Sequence, residues 1–176
     1  MTRSLKGIVA ALLLLAPMAA TGQALEREVK AAFLFKFLSF VEWPQGAFAR
    51  PDSPITVGVL GADEVLDELQ HVVPGRVVQG RPVTVRRLYY GEPATELHML
   101  FVGRAAGTAL PGYAGGEGLL LVGEQPGALE QGAIINFVSV DNRVRFEVAA
   151  DAAERRGLRV SSRMLAVAEY VRGGKP

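Results

Sequence analysis

Cysteine is absent from this chain of 176 residues, and its absence excludes disulfides, thiolate metal sites, cysteine nucleophiles and thiol redox switches. Histidine is scarce. His71 and His98 are the only two and show no His-x-x-x-His or His-Glu spacing, which argues against a histidine-based metal site. An excess of one charge is also missing, since 19 Lys and Arg face 18 Asp and Glu. No broad field draws the chain to nucleic acid or anionic lipid. A single Trp and no run of basic residues interleaved with aromatics further argue against a nucleic-acid groove. The apolar stretch Ile8 to Ala16 is shorter than the ~20 residues that cross a bilayer, and Pro17 ends it.

What is present begins with a leader. MTRSLKGIVAALLLLAPMAATGQA runs from basic Arg3 and Lys6 through an apolar stretch to small residues, the order of a signal peptide. Cleavage is expected after Ala24, giving residues 1–24 as leader and 25–176 as the mature domain. A lipoprotein anchor would need a Cys at the cleavage point, and none exists. A mature chain of about 150 residues makes one domain that buries roughly 70% of its unfolded surface.

Along that domain, LEREVKAAFLFKFLSFVEW predicts a helix from Leu25 to Trp43, ended by Pro44. Val29, Phe33, Phe37 and Phe40 share one face, and Leu34, Leu38 and Val41 lie on an adjoining one. Lys30, Lys36, Glu28 and Glu42 are spread around it, unlike the segregated basic face of a membrane-surface helix. ITVGVLG then predicts a strand, ADEVLDELQHVV a helix, and RPVTVRRL and HMLFVG two further strands. RAAGTALPGYAGGEG reads as a short helix and loop, and LLLVG as a buried strand.

AIINFVSV and RVRFEVA alternate on either side of Asp141-Asn142, which predicts a tight hairpin with Val140 opposite Arg143. Ile135, Phe137 and Ser139 then share an apolar face with Val148, Phe146 and Val144. AADAAERRG predicts a helix closed by Gly157, and Ser161 or Ser162 caps a last helix, RMLAVAEYVR, running to Gly173-Gly174. The fold class is α/β: a single domain with a mixed β-sheet of about six strands and a C-terminal hairpin, flanked by helices.

No catalytic set emerges. Ser161 and Ser162 lack a Gly-x-Ser-x-Gly elbow and read as helix caps. The turns Gly103 to Thr108 and Gly123 to Gly127 lack both the ending of a phosphate loop and a dinucleotide fingerprint. Asp63, Glu64, Asp67 and Glu68 crowd one helix and read as a solvated face. No cofactor, metal or enzymatic activity is therefore expected. The candidate binding residues lie on the polar hairpin face, where Asn136 stands opposite Glu147 beside Arg145. This face is either solvated or presented to a protein partner.

Two segments carry a resemblance to the YfiR/HmsC-like periplasmic proteins. One is VKAAFLFKFLSFVEWP, with Lys30 to Ala32 and Val41 to Pro44. The other is GAIINFVSVDNRVRFEVAADAAERRGLRVSSRMLAVAEYV, with Ile135-Asn136-Phe137, Arg145-Phe146-Glu147 and Leu158 to Ser162 in family order. The resemblance implies a periplasmic repressor that binds the periplasmic sensor region of an inner-membrane diguanylate cyclase, lowering cyclic-di-GMP and restraining biofilm formation. It also implies sequestration by an outer-membrane lipoprotein, and a homodimer. Many relatives carry disulfides, and this chain departs from them. A second class stays open: a small-ligand-binding periplasmic accessory domain for a sensor kinase or transporter.

Overall fold

The computed structural model describes residues 17–173. Most of the expected leader therefore lies outside the described residues, and its end, from Pro17, forms the start of helix α1, Pro17–Phe40. A short β1, Val41–Glu42, follows, then β2, Ile55–Leu60, and α2, Asp63–Val72. Next come β3, Val77–Val78, β4, Arg81–Arg87, β5, Met99–Val102, and a 3-10 segment, Arg104–Tyr113. The chain continues through β6, Leu120–Gly123, β7, Ile135–Val140, β8, Arg143–Ala149, and α3, Ala150–Arg155. It closes with β9, Arg159–Val160, α4, Ser162–Leu165, and β10, Tyr170–Arg172.

Eight strands form one mixed sheet in the order β10-β8-β7-β6-β5-β2-β4-β3, and β1 pairs with β9 as a separate ribbon. The six strands read from the sequence are all present as β2 and β4 to β8. The neighbouring strands from β4 through β2, β5 and β6 to β7 are parallel, which needs crossovers and buried faces. From β2 the chain adds β4 on one side and then β5 on the other, so the sheet switches direction between β2 and β5. The carboxyl ends of those two strands flank a crevice of the kind in which open α/β sheets bind ligands.

The hairpin has the expected register, with Phe137 opposite Phe146 and Asn136 opposite Glu147. Asp141 and Asn142 both take positive φ, 50° and 57°, the geometry of a type I′ turn that matches the twist of the flanking strands. Phe33 and Phe37 of α1 close on this pair. Phe37 lies edge-on to Phe146 at 5.1 Å and stacks on Phe137 at 5.7 Å, while Phe33 meets Phe146 at 5.5 Å. Ala31, Leu34, Leu38 and Val41 complete the buried side of the helix. On the opposite face of the sheet the 3-10 segment comes so close that a Cβ on Gly123 would lie 2.8 Å from Leu110.

Two expected ends differ. Helix α1 stops at Phe40 rather than Trp43, because its last carbonyls find partners outside the helix. The Gln79 amide donates to the carbonyls of Leu38 and Val41 at 3.1 and 2.8 Å, and the Ser161 N–H donates to that of Phe40 at 2.8 Å. Val41 is thereby free to pair with Val160. The last helix is a single turn, and of the two expected caps Ser161 is the one used: its hydroxyl accepts from the Met164 N–H. After a turn over residues 166–169 the chain forms β10, which lies parallel to β8 and pairs with its outer edge at Glu147 to Ala149. Tyr170 and Val171 suit a strand better than a helix interior.

His98, at the entrance to β5, joins the loop after β1 to the sheet. Its Nε2 donates to the Ala47 carbonyl at 3.1 Å and its Nδ1 accepts from the Thr56 N–H at 3.1 Å. A carbonyl only accepts and an N–H only donates, so this pair of bonds requires the neutral ring. Phe48 stacks on the imidazole at 4.3 Å, and the Arg81 guanidinium covers the other side of Phe48. Burial lowers the His98 pKa, the Ala47 bond partly opposes that, and the charge of Arg81 adds to the lowering.

Two outcomes follow from this packing. Phe146→Ala is expected to lose about 3–5 kcal/mol of stability, read by denaturant unfolding, because the vacated site is ringed by Phe33, Phe37 and Phe137; a melting curve identical to the parent's would refute the register. The unfolded His98 takes up its proton near the ordinary pKa of about 6.5, before the folded one does. Its contribution is therefore complete above that pH and lost as pH falls below it. Unfolding measured between about pH 7.5 and 5.5 should show a loss that a His98→Gln variant, less stable at neutral pH, lacks.

Candidate functional site

Beside the sheet's switch point, the start of α1, the end of β6 and the β7–β8 hairpin enclose a groove of about 450 Å³. Lys30 is the first residue of the α1 stripe that continues through Leu34 and Phe37 toward Val41 of β1, and like them it is buried, with 8% exposure. Its ammonium bonds Glu124 at 2.5 Å and Glu26, one turn earlier, at 2.5 Å. Glu124 directly follows β6 and also accepts from the Arg104 N–H at 2.7 Å. Both oxygens of Glu124 are thus occupied, and removing Lys30 would leave the buried Glu124 carboxylate without a cation, a loss of about 3–5 kcal/mol.

This ion pair is a wall between two depressions. On one side lies the groove, lined by Leu25, Val29, Phe33, Val144 and the arginines Arg104, Arg143 and Arg145. On the other lies a shallower cavity of about 400 Å³ at the carboxyl end of β2, lined by Gly61, Ala62, Asp63 and Arg27. Two glycines shape that end of the sheet, since a Cβ on Gly103 would collide with the Gly61 carbonyl. Acidic residues of α2 are engaged rather than free. Arg27 bonds Glu68 at 3.1 Å and approaches Glu64 at 3.6 Å, and Arg87 bonds Asp63. The acidic helix face expected to be merely solvated therefore ties α2 to α1 and β4.

The three candidate residues of the hairpin do not converge on one site. Asn136 is buried, at 3% exposure, and its amide donates to Glu147 at 3.4 Å. Its Oδ1 is the one buried side-chain oxygen or nitrogen without a hydrogen-bond partner among the described residues. Glu147 is half-buried beside it and borders Tyr170 of β10. Arg145 alone of the three lines the groove, together with Arg143. Neither arginine, nor Arg104, has a carboxylate partner among the described residues, whereas Glu26 and Glu124 are held by Lys30.

Sequence reading assigned Lys30 to the polar margin of the helix and gave Glu124 no role. A signal for each was present: a lysine standing where the buried i, i+4, i+7 stripe begins, and a carboxylate just past the carboxyl end of a parallel strand. Chemically the site offers an apolar floor and a fixed ion pair, with Arg104 and the hairpin residues Arg143 and Arg145 at its margin. It offers no nucleophile paired with a base. Among the described residues no three His, Asp or Glu lie together in a way that could hold a metal ion, and no helix is long and apolar enough to cross a membrane.

No curated protein matches the chain. A family model described as YfiR/HmsC-like matches residues 27–169, which takes in α1 from Arg27, every strand but β10, and the whole groove except Leu25 and its neighbours at the helix start. With that match covering most of its length, the chain belongs to the YfiR/HmsC-like family, known for periplasmic regulators of cyclic-di-GMP signalling.

Proposed function

We propose that this protein is exported to the periplasm through its leader and represses an inner-membrane diguanylate cyclase by binding the cyclase's periplasmic sensor region. It acts by binding and not by catalysis. The family match over residues 27–169 carries this reading. The site chemistry accords with it, since a groove with an apolar floor and free arginines has the composition of a protein contact. An outer-membrane lipoprotein that binds the same protein would relieve the repression by competition.

A repressor that prefers the inactive cyclase shifts the equilibrium only by its differential affinity for the two states. Deleting the gene is therefore expected to raise cyclic-di-GMP and biofilm formation in cells that hold the partner cyclase, and to change neither in cells that lack it. An unchanged level in both backgrounds would refute the repressor reading.

Arg145 is the cleanest surface probe. Arg145→Glu is expected to weaken binding to the cyclase's periplasmic region by an order of magnitude or more, while leaving the melting temperature nearly unchanged, because an exposed unpaired charge contributes little to folding. Glu147→Lys is expected to lower the melting temperature as well, since among the described residues Glu147 is the only hydrogen-bond partner of the buried Asn136 side chain. Calorimetric titration beside thermal unfolding separates the two effects.

A further inference from the structure

The hairpin leaves part of the sheet without a neighbour. Along a strand of an antiparallel pair, one residue turns its N–H and C=O to the partner and the next turns them outward. The Phe146 carbonyl accepts from the Glu169 N–H at 2.8 Å, so the even-numbered residues of β8 are the outward ones. Strand β10 takes up that edge only at Glu147 to Ala149. The Val144 N–H and carbonyl and the Phe146 N–H therefore have no backbone partner among the described residues, and an edge of about 13 Å, from Arg143 to Phe146, stands open. The two faces of this edge differ in chemistry. Val144 and Phe146 face α1, and half-buried Val144 lines the groove with Leu25, Val29 and Phe33. Arg143 and Arg145 lie on the other face, are exposed, and have no carboxylate partner among the described residues.

We propose that the open edge of β8, Arg143 to Phe146, is a docking site for an extended segment of a partner protein that alternates apolar and acidic residues and adds to the sheet as a strand in line with β10. This deepens the reading of the protein as one that acts by binding, and rests on it. A strand laid against β8 keeps each of its faces level with a face of the sheet, so side chains beside Val144 and Phe146 are apolar and those beside Arg143 and Arg145 are acidic. Backbone bonds give such a complex its affinity, and the alternating side chains give it selectivity. A second copy offering the same edge fails the charge requirement. Its odd-numbered residues would lie beside odd-numbered ones, arginine against arginine, and charge on an edge strand is a device by which sheets avoid pairing with themselves.

Three capped heptapeptides test the proposal on the purified protein: one alternating Val and Glu, one alternating Val and Lys, and the Val–Glu peptide with its backbone amides N-methylated, which keeps the side chains and removes the donors. Amide chemical shifts give affinity and location, and hydrogen exchange reads the Val144 amide. The Val–Glu peptide should bind about tenfold or more tightly than either of the others, with shifts centred on Arg143 to Phe146 and slowed exchange at Val144. The double variant R143E/R145E should reverse the preference, taking the Val–Lys peptide about tenfold more tightly than the Val–Glu one, with its melting temperature nearly unchanged. Equal affinity for the two charged peptides, undiminished binding of the N-methylated one, shifts centred elsewhere, an unreversed preference in the variant, or no binding up to about 10 mM would each overturn the proposal. So would a Val144 amide already protected without peptide, which would show the edge covered by the chain itself or by a second copy. None of these readouts involves a cyclase, so failure here and failure of the repressor reading are told apart.

Discussion

Everything in this molecule hangs on the contact between one helix and one hairpin. Phe33 and Phe37 reach from α1 to Phe137 and Phe146, which sit directly opposite each other across the hairpin, and Phe101 of the central strand β5 meets Phe137 at 5.9 Å. Edge-to-face and offset stacks of this kind add about 0.5–1.5 kcal/mol per pair beyond the burial of the rings. The contact also sets geometry. A hairpin slipped by one residue would turn Phe137 and Phe146 to the opposite face and leave α1 nothing to close upon. The two-residue turn at Asp141-Asn142 prevents that slip before any tertiary contact forms.

The groove is a consequence of the same contact. Because α1 is anchored at Phe33 and Phe37, its earlier turn projects past the sheet and holds Leu25 and Val29 beside the hairpin tip without covering them. Lys30 falls where the helix passes the end of β6, and the Lys30–Glu124 pair fixes that crossing. A buried ion pair of this sort sets position more than it adds stability, since its Coulombic gain must first offset the loss of hydration of both groups. Its acidic members are both occupied by the one lysine.

The far ends of the chain are bound by backbone bonds. Gln79, on the turn between β3 and β4, takes two carbonyls at the end of α1, and β9 pairs with β1 close by. Arg156 donates to the carbonyls of Leu119, Ala114 and Gly132, drawing the 3-10 segment and the turn before β7 onto α3. The Gln79 and Arg156 contacts use a polar side chain in place of a strand or helix partner, and neither has a local pattern that would reveal it.

The division between what was legible and what was not follows that distinction. By itself the sequence determined the six central strands, α1 and α2, the hairpin turn and its register, and a helix cap at Ser161 or Ser162. These rest on apolar period, turn residues and capping groups that act within a few positions. Only the tertiary structure decided that α1 ends at Phe40, that Tyr170–Arg172 is a strand and not the end of a helix, that Asn136 is buried while Arg145 is not, and that Lys30 meets Glu124 across ninety-four positions. The physical reason is common to all four. An unsatisfied carbonyl, an open strand edge or a buried charge takes whichever partner the fold brings to it, and that partner is remote in sequence.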